Sequence, residues 1–153
     1  MTQYHRTMLW MFLVAIVSGC ATTTGVPLKN AISTPAAPTA RGPYSQAVSY
    51  GNLLFVSGQL AIDPANNKVL AQLDIEGQTR QALDNIKAVL AANGMGMEHV
   101  LSATVYLADV QDFKKMNAVY ESYFSASRPA RATVGGAMVV PGALVEISVV
   151  AGK

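Results

Sequence analysis

Apolar positions recur along this chain in two rhythms, one of strands and one of helices, and their succession sets the order of elements. Ser45 to Tyr50 and Leu53 to Ser57 read as two short strands around Gly51-Asn52, a pair tolerant of positive φ that favours a tight hairpin turn. Asp63-Pro64-Ala65-Asn66-Asn67 is turn chemistry. Beyond it, Thr79, Leu83, Ile86 and Leu90 share one helical face, with Asp74 as N-cap and Asn93-Gly94 as the stop. Val100 to Leu107 has the β-branched and aromatic content of a strand. Asp109 or Asp112 then caps a second helix carrying Phe113, Met116, Tyr120 and Phe124 in a stripe that reads as core. Two strands close the chain, about Ala132 to Val139 and Leu144 to Val150. In the last one Val145, Ile147 and Val149 alternate with Leu144, Glu146, Ser148 and Val150, which makes one face wholly apolar and the other mixed.

This β-β-α-β-α-β-β order predicts an α+β domain in which one sheet carries both helices on one face. No internal repeat or second domain is visible. Glu146 falls on the face opposite the apolar set, where a solvated edge charge and a cleft carboxylate fit the pattern equally well.

The N-terminal stretch changes where that domain is expected to work. His5 and Arg6 precede an apolar run from Met8 to Val17, which ends in Val17-Ser18-Gly19-Cys20. The run falls short of the roughly 20 residues that cross a bilayer, and with its basic start and small-residue ending it reads as a secretory signal. Cys20 at the cut resembles a bacterial lipobox, in which the thiol is acylated; an ordinary signal peptide with an incidental cysteine is the alternative. The expected organisation is a signal peptide over 1–19, a tether over 20–40 and a domain over 41–153. The segment between Ala21 and Arg41 is rich in Thr, Ala and Pro and predicts no packed structure. Ala21 after the anchor points to the outer membrane, on its periplasmic side, in a Gram-negative host.

Composition narrows the chemistry. The hydrophobic share of 51% is inflated by the leader, so the remainder suits one domain of modest core. Net charge is +2, and the longest basic run in the domain is Lys114-Lys115, which argues against nucleic acid as a partner. Cys20 is the single cysteine, so intrachain disulfides, thiolate zinc sites and a cysteine nucleophile inside the fold are excluded. His5 leaves with the leader, and His99 alone makes neither a histidine metal cluster nor a triad. Gly94-x-Gly96-x-x-His99 follows a helix rather than a strand and reads as a loop.

Four ordered segments carry a family resemblance: Gly42-Pro43-Tyr44-Ser45-Gln46-Ala47 with Phe55-Val56-Ser57-Gly58-Gln59, the run Asp74 to Ile86, Pro129-Ala130-Arg131-Ala132-Thr133 just ahead of a strand, and Gly142-Ala143-Leu144-Val145-Glu146-Ile147. Together, over about Pro38 to Ala151, they resemble the RidA (YjgF) family of imine and enamine deaminases, whose layer is of the RidA/chorismate mutase-like type. The resemblance implies a homotrimer with a central barrel and clefts between subunits. It implies hydrolysis of small imino or enamino acids, such as 2-aminoacrylate or a 2-iminobutanoate-like compound, to 2-oxo acids and ammonia, with no cofactor and no metal. Arg131 matches the residue that binds the substrate carboxylate, a task suited to a planar fork of donors; its ordinary alternative is a surface or interface salt bridge. Glu146 matches the glutamate suggested for proton transfer. Tyr44, Ser57, Gly58 and Asn117 match positions lining the cleft, although a packed tyrosine, a strand-end hydroxyl, a turn glycine and a polar helix residue would look the same.

The chain departs from the family where Gly135-Gly136-Ala137-Met138-Val139-Val140-Pro141 replaces the frequent Glu-Val-Ala-Arg-Leu-Pro-Lys, a change that removes side chains from a wall and weakens a strand. Arg128 adds a positive charge beside Pro129. A non-catalytic module that holds small carboxylates or carbonyl compounds is the other reading of these residues. A third, an endoribonuclease, has been attached to the family and is disfavoured by the near-neutral domain.

Overall fold

The computed structural model describes residues 28–153; the expected signal peptide, Cys20 and the first part of the tether lie outside the described residues. Strands β1 (Lys29–Ile32), β2 (Ala47–Tyr50) and β3 (Leu53–Gln59) come first, and a short ladder of β4 (Ile62–Asp63) and β5 (Lys68–Val69) leads to α1 (Ile75–Ala92). Then follow β6 (Val100–Leu107), α2 (Phe113–Tyr123), β7 (Ala130–Gly135) and β8 (Val145–Gly152). The main sheet has the order β1-β2-β3-β8-β6-β7. All its neighbours are antiparallel except β6 and β7, which run parallel with α2 as their crossover.

Local chemistry accounts for the long elements. Gly51 takes φ 60 in the β2–β3 turn, the left-handed first position that lets two strands return without splaying. The Asp74 carboxylate accepts from the Gly77 amide at 2.9 Å and caps α1; Gly94 at φ 65 ends it. Thr79, Leu83, Ile86 and Leu90 are fully buried, as their spacing predicts. They pack on Val145, Ile147 and Val149 from β8 and on Leu54 and Val56 from β3, each large aliphatic side chain contributing about 1.5–3 kcal/mol.

Three expectations are corrected. Residues 28–40 do not run as a structureless tether: β1 pairs with β2, Ala37 is buried, and the buried Gln46 amide donates to the carbonyls of Thr34, Ala37 and Pro38 at 3.0, 3.1 and 2.7 Å. A free sheet edge and one buried amide order a segment whose composition carries no apolar period. The domain therefore begins before Arg41. Second, β7 starts at Ala130 and ends at Gly135, so Arg131 lies within the strand rather than ahead of it; parallel pairing to β6 draws Ala130 and Arg131 into the ladder, and Gly135-Gly136 ends it. Third, Phe113 is 41% exposed and leaves the stripe in which Met116, Tyr120 and Phe124 are buried, because it stands at the first position of α2. No helix among the described residues is long and apolar enough to cross a membrane.

Candidate active site

Arg131 is opposite Ala103 in the parallel β6–β7 ladder, and Thr133 is opposite Val105. Ala103 and Val105 are buried on the helix-bearing face, so Arg131 and Thr133 project toward α2. There an Arg131 Nη2 donates to Asn117 Oδ1 at 2.8 Å. The guanidinium carbon stands 4.5 Å from the Tyr120 ring centroid and 5.9 Å from that of Phe113, a cation–π arrangement. Phe113, Asn117 and Tyr120 are spaced four and three residues apart and form one rail of the helix. Asn117 reads in sequence as a polar helix residue; here it fixes the arginine fork, leaving the other donors for a ligand. No carboxylate among the described residues pairs with Arg131.

A cavity of about 340 Å³ opens at this rail, lined by Asn117, Tyr120, Glu121, Phe124, Arg128, Pro129 and Arg131. The added charge at Arg128 is spent on Glu121 at 3.1 Å, with both side chains mostly exposed, a pair worth about 0–1 kcal/mol. Tyr120 Oη and Thr133 Oγ1 are buried without a hydrogen-bond partner among the described residues. Burial pushes the Tyr120 phenol up to about 12, against the opposing pull of the Arg131 charge; it is a neutral donor at physiological pH. Sequence reasoning assigned Tyr120 to the core and passed over Thr133, whose only signal is its place two residues after the arginine on the same strand face.

Glu146 lies between the buried Val145 and Ile147 of β8 and so points to the other face of the sheet, with Tyr106 as its cross-strand neighbour. Its carboxylate rests on Gly58. A Cβ built at Gly58 would stand 2.7 Å from the Glu146 carboxyl carbon, with Oε1 closer still, so the glycine is required by close approach and not by a turn. The Ser57 hydroxyl donates to the Ser45 carbonyl at 2.7 Å, so toward any further partner its oxygen acts as an acceptor. Tyr44 is 54% exposed; its hydroxyl accepts from the Arg41 amide at 3.2 Å, and it lines a small cleft with Gln46 and Gly58. A cavity of about 350 Å³ beside Glu146 is bounded by Tyr106, Val134, Gly135, Gly136, Ala137, Met138 and Val139. Gly136 opens the wall: a Cβ there would meet nothing within 4 Å, whereas one at Gly135 would collide with Val110.

The six site residues expected from the sequence therefore fall into two half-sites. Tyr44, Ser57, Gly58 and Glu146 form one; Asn117 and Arg131 form the other. They occupy opposite faces of one sheet, and within one chain no cavity among those described contains both Arg131 and Glu146.

Comparison with known proteins gives this arrangement a family. The Endoribonuclease L-PSP profile matches residues 34–153, and the chain belongs to that family, the RidA/YjgF group. A RutC family protein of Pyrococcus horikoshii is 47% identical over 126 residues, covering 82% of this chain and 99% of the relative. The 2-iminobutanoate/2-iminopropanoate deaminase of Capra hircus is 44% identical over 124 residues, 81% and 90% of the two chains. Among solved structures, the YjgF gene product of E. coli superposes with a TM-score of 0.76 at 38% identity, covering 81% of this chain and 98% of that one. E. coli TdcF with bound serine superposes equally well, 0.76 at 33% identity, with the same coverage.

Proposed function

We propose that the protein is a hydrolytic deaminase of small 2-imino and 2-enamino acids, acting as a homotrimer in which the Arg131 half-site of one chain meets the Glu146 half-site of the next. The observation that carries this reading is the separation of the two halves on opposite sheet faces. A donor fork suited to a carboxylate and a carboxylate suited to proton transfer belong to one reaction, and a second copy supplies whichever half a single chain leaves apart. The open sheet face supports such association, because Tyr50, Phe55, Tyr106 and Val134 each stand 44–48% exposed on it, more apolar surface than an isolated two-layer domain ordinarily leaves wet. Relatives named as iminobutanoate and reactive-intermediate deaminases support the chemistry, and the serine bound by the E. coli relative is a small amino acid with the same carboxylate end.

In this reading the substrate carboxylate sits on the Arg131 fork, held rigid by Asn117 and the Tyr120 ring. An enamine first gains a proton from solvent at its terminal carbon and loses one from nitrogen, which gives the imine. Glu146 then removes a proton from water as the oxygen bonds to the imine carbon, the C=N π electrons pass to nitrogen, and nitrogen takes a proton from solvent. Protonated Glu146 returns its proton to the amine as the carbinolamine's C–N bond breaks and its hydroxyl gives a proton to solvent, leaving the 2-oxo acid and ammonia. One water is consumed, no electrons are exchanged, and water with these side chains completes the balance. Acylation of Cys20 after removal of residues 1–19 would place the reaction at the cell envelope, outer membrane included; Cys20→Ser should abolish the lipid mass and membrane partition, and unchanged mass and partition would refute the anchor.

The test of activity is a coupled assay on imines freshly generated from several amino acids. Hydrolysis accelerated by the native protein, and lowered about a hundredfold or more in kcat by Glu146→Gln with 2-oxo acid affinity preserved, is the expected outcome. Binding of 2-oxo acids without turnover would replace the enzyme by a binding module.

A further inference from the structure

We infer that Gln78 and Asn85, two buried amides on α1 outside both half-sites, are positioning residues that set the contact between Glu146 and Gly58; the inference rests on the deaminase reading above. The need for such residues follows from the sheet. Between β3 and β8 the register runs from Val56 opposite Val149 to Gln59 opposite Ile147, which leaves Ser57 and Gly58 on one strand against Ser148 alone on the other. The ladder is therefore irregular at Gly58, against which the Glu146 carboxylate lies, and cross-strand bonds to β8 do not fix the spacing at that point. Yet the spacing has no slack, since even a Cβ at Gly58 would collide with the carboxylate.

The missing constraint comes from the helix. The Gln78 side chain is fully buried. It donates to the Gly142 carbonyl at 3.0 Å and accepts from the Leu144 amide at 2.8 Å, gripping the loop two residues before Glu146. Asn85, seven residues on and so on the same helical face, is 1% exposed. It donates to the carbonyls of Leu60 and Ile62 at 3.1 and 2.9 Å, gripping the chain two residues after Gly58. Gln81 donates to the Asn85 oxygen at 3.0 Å and orients that amide. One helix thus holds both backbone segments that bear the contact, each through side-chain bonds to main-chain groups. Gly142, at φ 81, lets the loop present its carbonyl to Gln78 in a conformation other residues rarely adopt.

The test uses the full chain carrying Gln78→Met or Asn85→Leu, each made in the native and in the Glu146→Gln background, with folding and oligomeric state checked by circular dichroism and light scattering. In the native background kcat should fall about ten- to a hundredfold, the loss expected when a reacting group moves by a fraction of an ångström to an ångström. KM and 2-oxo acid affinity should stay within about twofold, because the Arg131 half-site is untouched. In the Glu146→Gln background the same substitutions should cost little further turnover, since the group they position is gone. Asn85→Leu serves if Gln78→Met fails to fold. Unchanged kcat in folded variants, or an equal loss in both backgrounds, would overturn the positioning role and leave the deaminase standing. Absence of turnover in the unmodified protein would remove the deaminase reading and this inference together.

Discussion

Arg131→Lys is the perturbation that most sharply separates charge from geometry. Arginine donates to Asn117 at 2.8 Å, sets its guanidinium carbon 4.5 Å from the Tyr120 ring centroid, and, in the proposed reading, offers a planar fork of donors to a carboxylate. Lysine retains the charge and loses the plane. One lost charge-assisted contact costs about 1.5–3 kcal/mol, and the weakened stacking about 0.5–1 kcal/mol more. The combined loss corresponds to roughly thirtyfold to several hundredfold in kcat/KM. Because the ligand end is anchored in the ground state as well, much of it should fall on KM. The assay is initial-rate hydrolysis of freshly generated 2-iminobutanoate over a range of concentrations, with Arg131→Ala alongside. If the charge alone sufficed, Arg131→Lys would match the native protein; if Arg131→Ala did so too, the anchor assignment would have to be withdrawn.

Two further outcomes follow from the same geometry. Gly58→Ala should displace the Glu146 carboxylate, whose atoms occupy the space of the new methyl. It should lower kcat by about a hundredfold with little change in 2-oxo acid affinity, measured by calorimetry; native-like kcat would refute the contact. Tyr120 titrates near 12 against an ordinary 10.0 because burial disfavours the phenolate, so its contribution to stability is complete below pH 10 and lost as pH rises toward 12. Denaturant midpoints between pH 8 and 12 should fall over that interval, and Tyr120→Phe, which removes a buried hydroxyl without a partner, should flatten the fall and cost little at neutral pH.

Much of the scaffold was legible from residue spacing. The α1 face of Thr79, Leu83, Ile86 and Leu90, the Asp74 cap and the alternation of β8 each rest on local periodicity, and the structure repeats them. β1 was not legible, because three of its four residues are exposed and its order comes from pairing with the β2 edge. The candidate site residues could be named from the sequence, but their arrangement could not. Alternation in β8 was enough to turn Glu146 away from the core. The direction of Arg131 required knowing that β7 begins at Ala130 and pairs in parallel with β6, a long-range register on which a sequence window is silent. Asn117 and Tyr120 took their meaning only once that register aimed the guanidinium at them, and the buried amides of α1 had no apolar signal at all.

The composite cleft is tested most directly by complementation. Arg131→Ala and Glu146→Gln, each nearly inactive alone, are co-refolded in equal amounts into mixed oligomers. If every cleft takes Arg131 from one chain and Glu146 from the next, random assembly leaves about a quarter of the clefts with both residues intact, and activity should recover to about that fraction of native. Verified mixed oligomers with no recovery would contradict the shared site.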